Sequence, residues 1–312
     1  MSQIRHTAAS RRPIGLLVLL LTAIGASALT AQQQITFFLA ARTPGGEFVS
    51  DLRADEIGVD EDGRAAKIVN VVPVTWPVKV TVLVDNGANT APLLVHYRNG
   101  LKAFFGDLPP GIESSLLTLA PQPRWVVRPT GDRDALVKGV DRIAPDDTAP
   151  RFIDGLIEVA NRIEQENSKQ TTYFPVIVML STTGLEGSGA PGRRVDRMAG
   201  QLLKYAARLH VIMVSVSATS PSVILGAAQV QIGKTLADGT GGRYEGIAAA
   251  TRITTLLPEY ARVIGDAHTF QSHQYKVTAA RPEGATGVPG LLSTVPTRPG
   301  LRFTATAQGL QP

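Results

Sequence analysis

The sequence predicts an α/β protein: a doubly wound, mostly parallel sheet, flanked by a small β unit built from the N- and C-terminal segments. Three observations carry this expectation. Residues 78–84, 174–180 and 210–216 are predominantly apolar runs of strand length, the pattern of strands covered on both faces. Stretches with helical spacing separate them, as a sheet with crossover helices requires. Residues 34–74 and the chain from Gln271 onward instead show short apolar runs divided by Gly, Pro and Asp-Gly turn residues.

Taken in order, residues 1–31 have the plan of a secretory signal peptide. Arg5, Arg11 and Arg12 precede an apolar run at 14–24, and Ala26-Ser27-Ala28 fits an A-x-A cleavage site, with cleavage after Ala31 as the alternative. That run is too short for the ~20 residues a spanning helix needs, so no membrane span is expected after cleavage. The expected location is outside the cytoplasm, periplasmic or extracellular. Removing the leader leaves 28 basic and 26 acidic residues, a net +2, and no basic stripe interleaved with aromatics remains. Nucleic acid is therefore not an expected partner. Absence of cysteine excludes disulfides, thiolate metal sites and a thiol nucleophile.

Residues 32–75 form the expected N-terminal β unit. Val59-Asp60-Glu61-Asp62-Gly63 runs into an Asp-Gly hairpin turn, with 66–72 returning. Pro73 and Pro77 close the unit, and the α/β body spans 76–268. A helix is expected at 90–105. Strands at 115–119 and 124–128 are joined by a linker too short for a crossover, so they pair antiparallel. Helices follow at 132–143, 152–166, 193–209, 227–237 and 253–264. The C-terminal segment, 269–312, offers strands at 274–279 and 301–307 that could form one sandwich with 32–75.

In such sheets ligands bind at the carboxyl ends of the strands. Three loops lie there: Asp85-Asn86-Gly87-Ala88-Asn89-Thr90, Asp146-Asp147-Thr148-Ala149 and Ser181-Thr182-Thr183-Gly184. With Val82-Leu83-Val84-Asp85, Ile153-Asp154-Gly155-Leu156, Leu236-Ala237-Asp238-Gly239-Thr240-Gly241-Gly242-Arg243 and Arg298-Pro299-Gly300-Leu301, the chain from 35 to 309 resembles the von Willebrand factor type A related family of secreted bacterial proteins. The resemblance implies a type A fold and a metal-ion-dependent adhesion site, in which the first loop reads D-x-S-x-S, the second gives a Thr and the third an Asp.

Here that motif is degenerate. Asp85 is retained, the serine positions fall on Gly87 and Asn89, and the third-loop carboxylate falls on Thr183, or on Thr182 in the neighbouring register. Thr148 is the candidate second-loop hydroxyl, although counting back from Asp154 reaches Pro150. Mg²⁺ wants several oxygen ligands including a carboxylate. No cofactor is expected; the alternative is a weakly held Mg²⁺ on Asp85, Asn89 and Thr148. The substitutions Gly87→Ser, Asn89→Ser and Thr183→Asp together would complete the ligand set. Asp85 reads first as a carboxylate accepting N–H bonds from its own loop, and Asn89 as a cap for the helix that follows.

Other constellations carry less. Gly233-Lys234-Thr235 lacks the upstream glycine of a phosphate loop, and Asp266, His268 and His273 lack metal-ligand spacing. His96 and His210 read as structural, and no G-x-S-x-G elbow exists. The expected function is a non-enzymatic module binding an unidentified protein through a rim of Asp85, Asn86, Asn89, Asp147, Thr148, Thr182 and Thr183. A Mg²⁺-dependent adhesion module is the alternative, and a hydrolase the least favoured reading.

Overall fold

A mostly apolar run from Gln34 to Arg42 forms the first strand, β1, in a computed structural model that describes residues 33–169, 172–216, 222–287 and 289–306. The leader and its cleavage site lie outside the described residues. The hairpin follows as β2 (Ile57–Glu61) and β3 (Arg64–Pro73). Its turn residues Asp62 and Gly63 both take positive φ, 51° and 74°, as a type I′ turn demands. Then come β4 (Val78–Val84), α1 (Leu94–Asp107), β5 (Glu113–Thr118), β6 (Arg124–Thr130), α2 (Arg133–Asp141) and α3 (Phe152–Asn167). The body continues through β7 (Phe174–Thr182), α4 (Gly192–Lys204), β8 (Arg208–Val214), α5 (Ser222–Gly239), β9 (Tyr244–Ile247) and α6 (Ile253–Gln271). Strands β10 (Gln274–Ala280), β11 (Leu292–Pro296) and β12 (Arg302–Thr306) end the described chain.

The body sheet has the order β6-β5-β4-β7-β8-β9. All its pairs are parallel except β5 with β6, the inserted antiparallel strand that the short linker demands. Because the strands are covered on both sides, alternate side chains feed two cores. Val82, Val178 and Ile212 pack with Tyr97, Phe104 and Leu257 from α1 and α6 on one face. Leu83, Met179 and Val211 pack with Phe152, Leu156 and Leu202 from α3 and α4 on the other. Every residue of β7 is buried, which is why its sequence shows no polar alternation.

The flanking β unit is a six-stranded antiparallel sheet of order β11-β2-β3-β10-β1-β12, drawn from both ends of the described chain. Strand β3 pairs with β2 through Arg64–Ala66 and with β10 through Lys67–Pro73, which joins strands from both ends of the described chain. Phe37, Leu39, Val59 and Val277 fill its interior. Tyr275 pins the loop before β2, its hydroxyl donating to the Val49 carbonyl at 3.0 Å and accepting from Leu52 N–H at 3.2 Å. Glu61 and Arg281 are both buried there and pair at 2.5 Å. The Arg281 hydrogen bond, followed by the Gly290 N–H, holds the Glu61 carboxyl below its ordinary range.

Several helix ends differ from expectation: α1 starts at Leu94, after a 3₁₀ turn at Ala91–Leu93, α5 starts five residues early at Ser222, and two C-terminal ends move as well. The helix expected at 193–209 stops at Lys204, because Ala206 turns left-handed at φ 50° and Arg208 already belongs to β8. Helix α6 runs on to Gln271, since Ala267, Phe270 and Gln271 continue its buried stripe past Ile264.

Candidate functional site

Strand order reverses between β4 and β7, so the crevice expected of an open α/β sheet lies beyond their carboxyl ends. Asp85 follows β4 at that point and is fully buried. Its Oδ1 accepts the Gly87 N–H at 2.9 Å. Its Oδ2 accepts from Thr182 N–H at 3.2 Å, Thr182 Oγ1 at 3.0 Å and Ser181 Oγ at 3.4 Å. Burial pushes the carboxyl up to about 6, outweighing the pull of these four donors. Tyr97 on α1 lies beneath with its hydroxyl buried and unpartnered, and burial, then the Asp85 charge, pushes the phenol well up.

The rest of the first loop is structural. Asn86 donates to the carbonyls of Ala144 (2.9 Å) and Ala120 (3.3 Å), and its Oδ1 accepts from Ala120 N–H (2.9 Å) and Leu119 N–H (3.2 Å). That clamp removes it from the expected rim. Asn89 is exposed with φ 72° and does not cap the helix; its side chain makes no cap bond, and Thr90 Oγ1 closes the loop on the Gly87 carbonyl at 2.6 Å.

The second and third loops seal the crevice. Thr148 Oγ1 donates to Asp146 Oδ1 at 2.5 Å and so turns away from Asp85. Its carbonyl accepts the Ala88 N–H at 2.9 Å, while Asp147 is exposed. A Cβ at Gly87 would lie 2.6 Å from Pro150 Cδ and 2.7 Å from the Thr148 carbonyl oxygen, so Pro150 occupies the space beside the first loop. In the third loop Thr182, not Thr183, reaches Asp85; Thr183 Oγ1 instead accepts the Val216 N–H at 3.1 Å.

Three third-loop and helix contacts were not foreseen. Gln229 on α5 donates to the carbonyls of Thr182 and Gly184 at 2.8 and 3.0 Å. Glu186 and Ser188 reach the start of α3, accepting the N–H groups of Ile153 (3.3 Å) and Asp154 (3.0 Å). A carboxylate there satisfies orphan donors and complements the helix dipole.

These residues do not fit a metal-ion-dependent adhesion site. Both Asp85 oxygens are engaged by protein donors, Thr148 is turned onto Asp146, and position 87 has neither an oxygen nor room for one. No cluster of three or more Asp, Glu or His with metal-ligand proximity occurs among the described residues. The expectation that Gly87→Ser, Asn89→Ser and Thr183→Asp would complete a ligand set is corrected by the same contacts. Gly87→Ser should lower the melting temperature by the equivalent of about 1–3 kcal/mol of overpacking. It should also gain no response to millimolar Mg²⁺. Thermal melts with Mg²⁺ and with chelator check both; a Mg²⁺-dependent rise in the variant would contradict the packing argument.

No protein-family model matches the chain, and no curated protein matches it. Among solved structures it is similar to von Willebrand factor type A from Catenulispora acidiphila, at 11% identity and a TM-score of 0.50, over 88% of this chain and 72% of that one. It also matches human COPII-coat protein Sec24c at 12% identity and a TM-score of 0.47, over 61% of this chain but only 32% of that one. BatB from Bacteroides thetaiotaomicron matches at 15% identity and a TM-score of 0.42, over 60% of this chain and 98% of that one. Strand order, switch point and the first of these likenesses give the body a von Willebrand factor type A fold, the fold that the sequence resemblance implied.

Proposed function

We propose that the protein is an exported, non-enzymatic protein-interaction module that binds a protein partner through the loops above the type A sheet, without a metal ion. The observation that carries this reading is the sealed crevice. Asp85 is taken up by four internal donors and has no exposed surface, and Pro150 packs against Gly87, so the loops form a braced surface with the carboxylate sealed beneath it. Asn89, Asp147 and Thr148 remain exposed on that surface as polar contact groups. The histidines lie elsewhere: His210 is buried in β8 with its Nδ1 accepting the Arg243 N–H, and His273 stacks on Phe48 at 4.5 Å. Export rests on the basic, apolar and small-residue order of the leader. No helix among the described residues is long and apolar enough to cross a membrane.

A photo-crosslinking residue at position 147 tests this, compared with one at Asp266, exposed on the second half of α6. In the native host the rim position should yield a discrete protein adduct, the α6 position none, and chelator should leave the yield unchanged. Equal adducts from both positions, none from either, or loss with chelator would each overturn the reading.

A further inference from the structure

The amino-terminal ends of the body strands carry a feature that the rim does not use. Arg208 opens β8, and His210, two residues on, belongs to the same face of the sheet. Both line a recess closed by Val176 of β7 and by Ile264, Ala267 and Gln271 on the second half of α6. Its volume is about 10 Å³, room for one particle about the size of a water molecule.

Two N–H donors on these side chains lack an acceptor. Arg208 is only 9% exposed, its Nε is buried without a partner, and no ion pair or hydrogen bond engages its guanidinium among the described residues. His210 is 1% exposed. Its Nδ1 accepts the Arg243 N–H at 3.2 Å, which puts the proton of the neutral ring on Nε2, and that N–H is also buried and unpartnered. Arg243 adds a second positive charge to the ring's surroundings. No Asp or Glu lines the recess. The carbonyls that end α6 are taken as well: His268 accepts from Ser272 N–H, Phe270 from His273 N–H and Thr269 from Ser272 Oγ.

A buried guanidinium is ordinarily paired, because desolvating it without an acceptor costs the folded state. A water molecule would accept a hydrogen bond there but leave the charge uncompensated. A cation is repelled, and a carboxylate, phosphate or sulfate exceeds the space. A monatomic anion meets both demands, accepting N–H bonds and balancing the charge.

We propose that this recess binds a single chloride ion, held by the unpartnered N–H groups of Arg208 and His210. Its radius, slightly larger than that of water, is taken up by small shifts of the Arg208 and Gln271 side chains. The assignment does not depend on the rim's function.

Thermal melts of the whole mature protein in sodium chloride against sodium gluconate at equal ionic strength test it. They are paired with ¹⁵N NMR of the histidine side chains, in which the His210 signal is assigned by its absence from His210→Asn. Chloride should raise the melting temperature saturably, by about 2–4 °C, and gluconate should not. It should also move the His210 Nε2–H signal with the same midpoint. Arg208→Met should lose both responses without melting lower in gluconate, because it removes an unpaired buried charge. The NMR titration needs no change at Arg208, so it decides the matter even where that variant fails to fold. An unmoved His210 signal, different midpoints in the two titrations or an equal chloride response in Arg208→Met would overturn the site. A wild type indifferent to chloride would mean that the recess holds water only.

Discussion

Val178→Asp should leave no soluble, folded protein. Val178 is the middle of β7, in register with Val82 on one side and His210 on the other, and has no exposed surface. Its side chain enters the core shared with α1 and α6, where the basic neighbour in register is the buried imidazole of His210, so an ion pair there would need two charges taken out of water together. The new Asp must either ionise, with His210 charged beside it against its own burial, or stay protonated at a free-energy cost, while the valine's packing is lost; each route costs several kcal/mol. Domains of this size are stable by only about 5–15 kcal/mol. Val95→Asp on α1, at a position 54% exposed, is the control and should change little. The soluble fraction and circular dichroism check the pair. A soluble, cooperatively melting Val178→Asp variant would show that β7 is not the centre of the sheet.

The legibility of that strand has a physical basis. Burial on both faces writes a predominantly apolar run, so β4, β7 and β8 stand out, and the Asp62-Gly63 turn declares itself because few residues tolerate two successive positive φ values. The same uniformity hides register. With no polar alternation along β7, nothing in the sequence decides whether Thr182 or Thr183 faces Asp85, and a one-residue shift exchanges them. Loop contacts leave still less trace. That Thr148 bonds to Asp146, and that Glu186 and Ser188 cap α3, depends on how distant loops meet. Pro150 is the exception: counting back from Asp154 reaches it, and it is the residue packed against Gly87.

Removing one or the other of two buried groups should give two variants with opposite responses to mild acid. His210 is buried between β8 and α6, edge-on to Tyr260 at 5.1 Å, and burial, then Arg208 and Arg243, lowers it from 6.5 to about 3. The unfolded chain therefore takes up a proton that the native state refuses. This contribution is complete above pH 6.5 and is lost as pH falls toward 3, about 5 kcal/mol at full amplitude. Asp85 has the reverse sign: raised from 3.8 to about 6, it keeps its proton in the native state where the unfolded chain has lost it. Its contribution is complete below pH 3.8 and is lost as pH rises through 6, about 3 kcal/mol at full amplitude. Between about pH 5 and 6, above the range in which lowered carboxyls such as Glu61 lose their contribution most steeply, the two oppose each other, so urea unfolding of the wild type should show a shallower pH dependence there than that of Asp85→Asn. His210→Asn keeps an acceptor for the Arg243 N–H and removes the imidazole, leaving Asp85 to dominate. Its stability should rise on acidification by about 1.4 kcal/mol per pH unit. Asp85→Asn should slope the other way by a similar amount, whatever its absolute stability. Parallel pH slopes in the two variants would mean that these groups do not titrate as their burial requires.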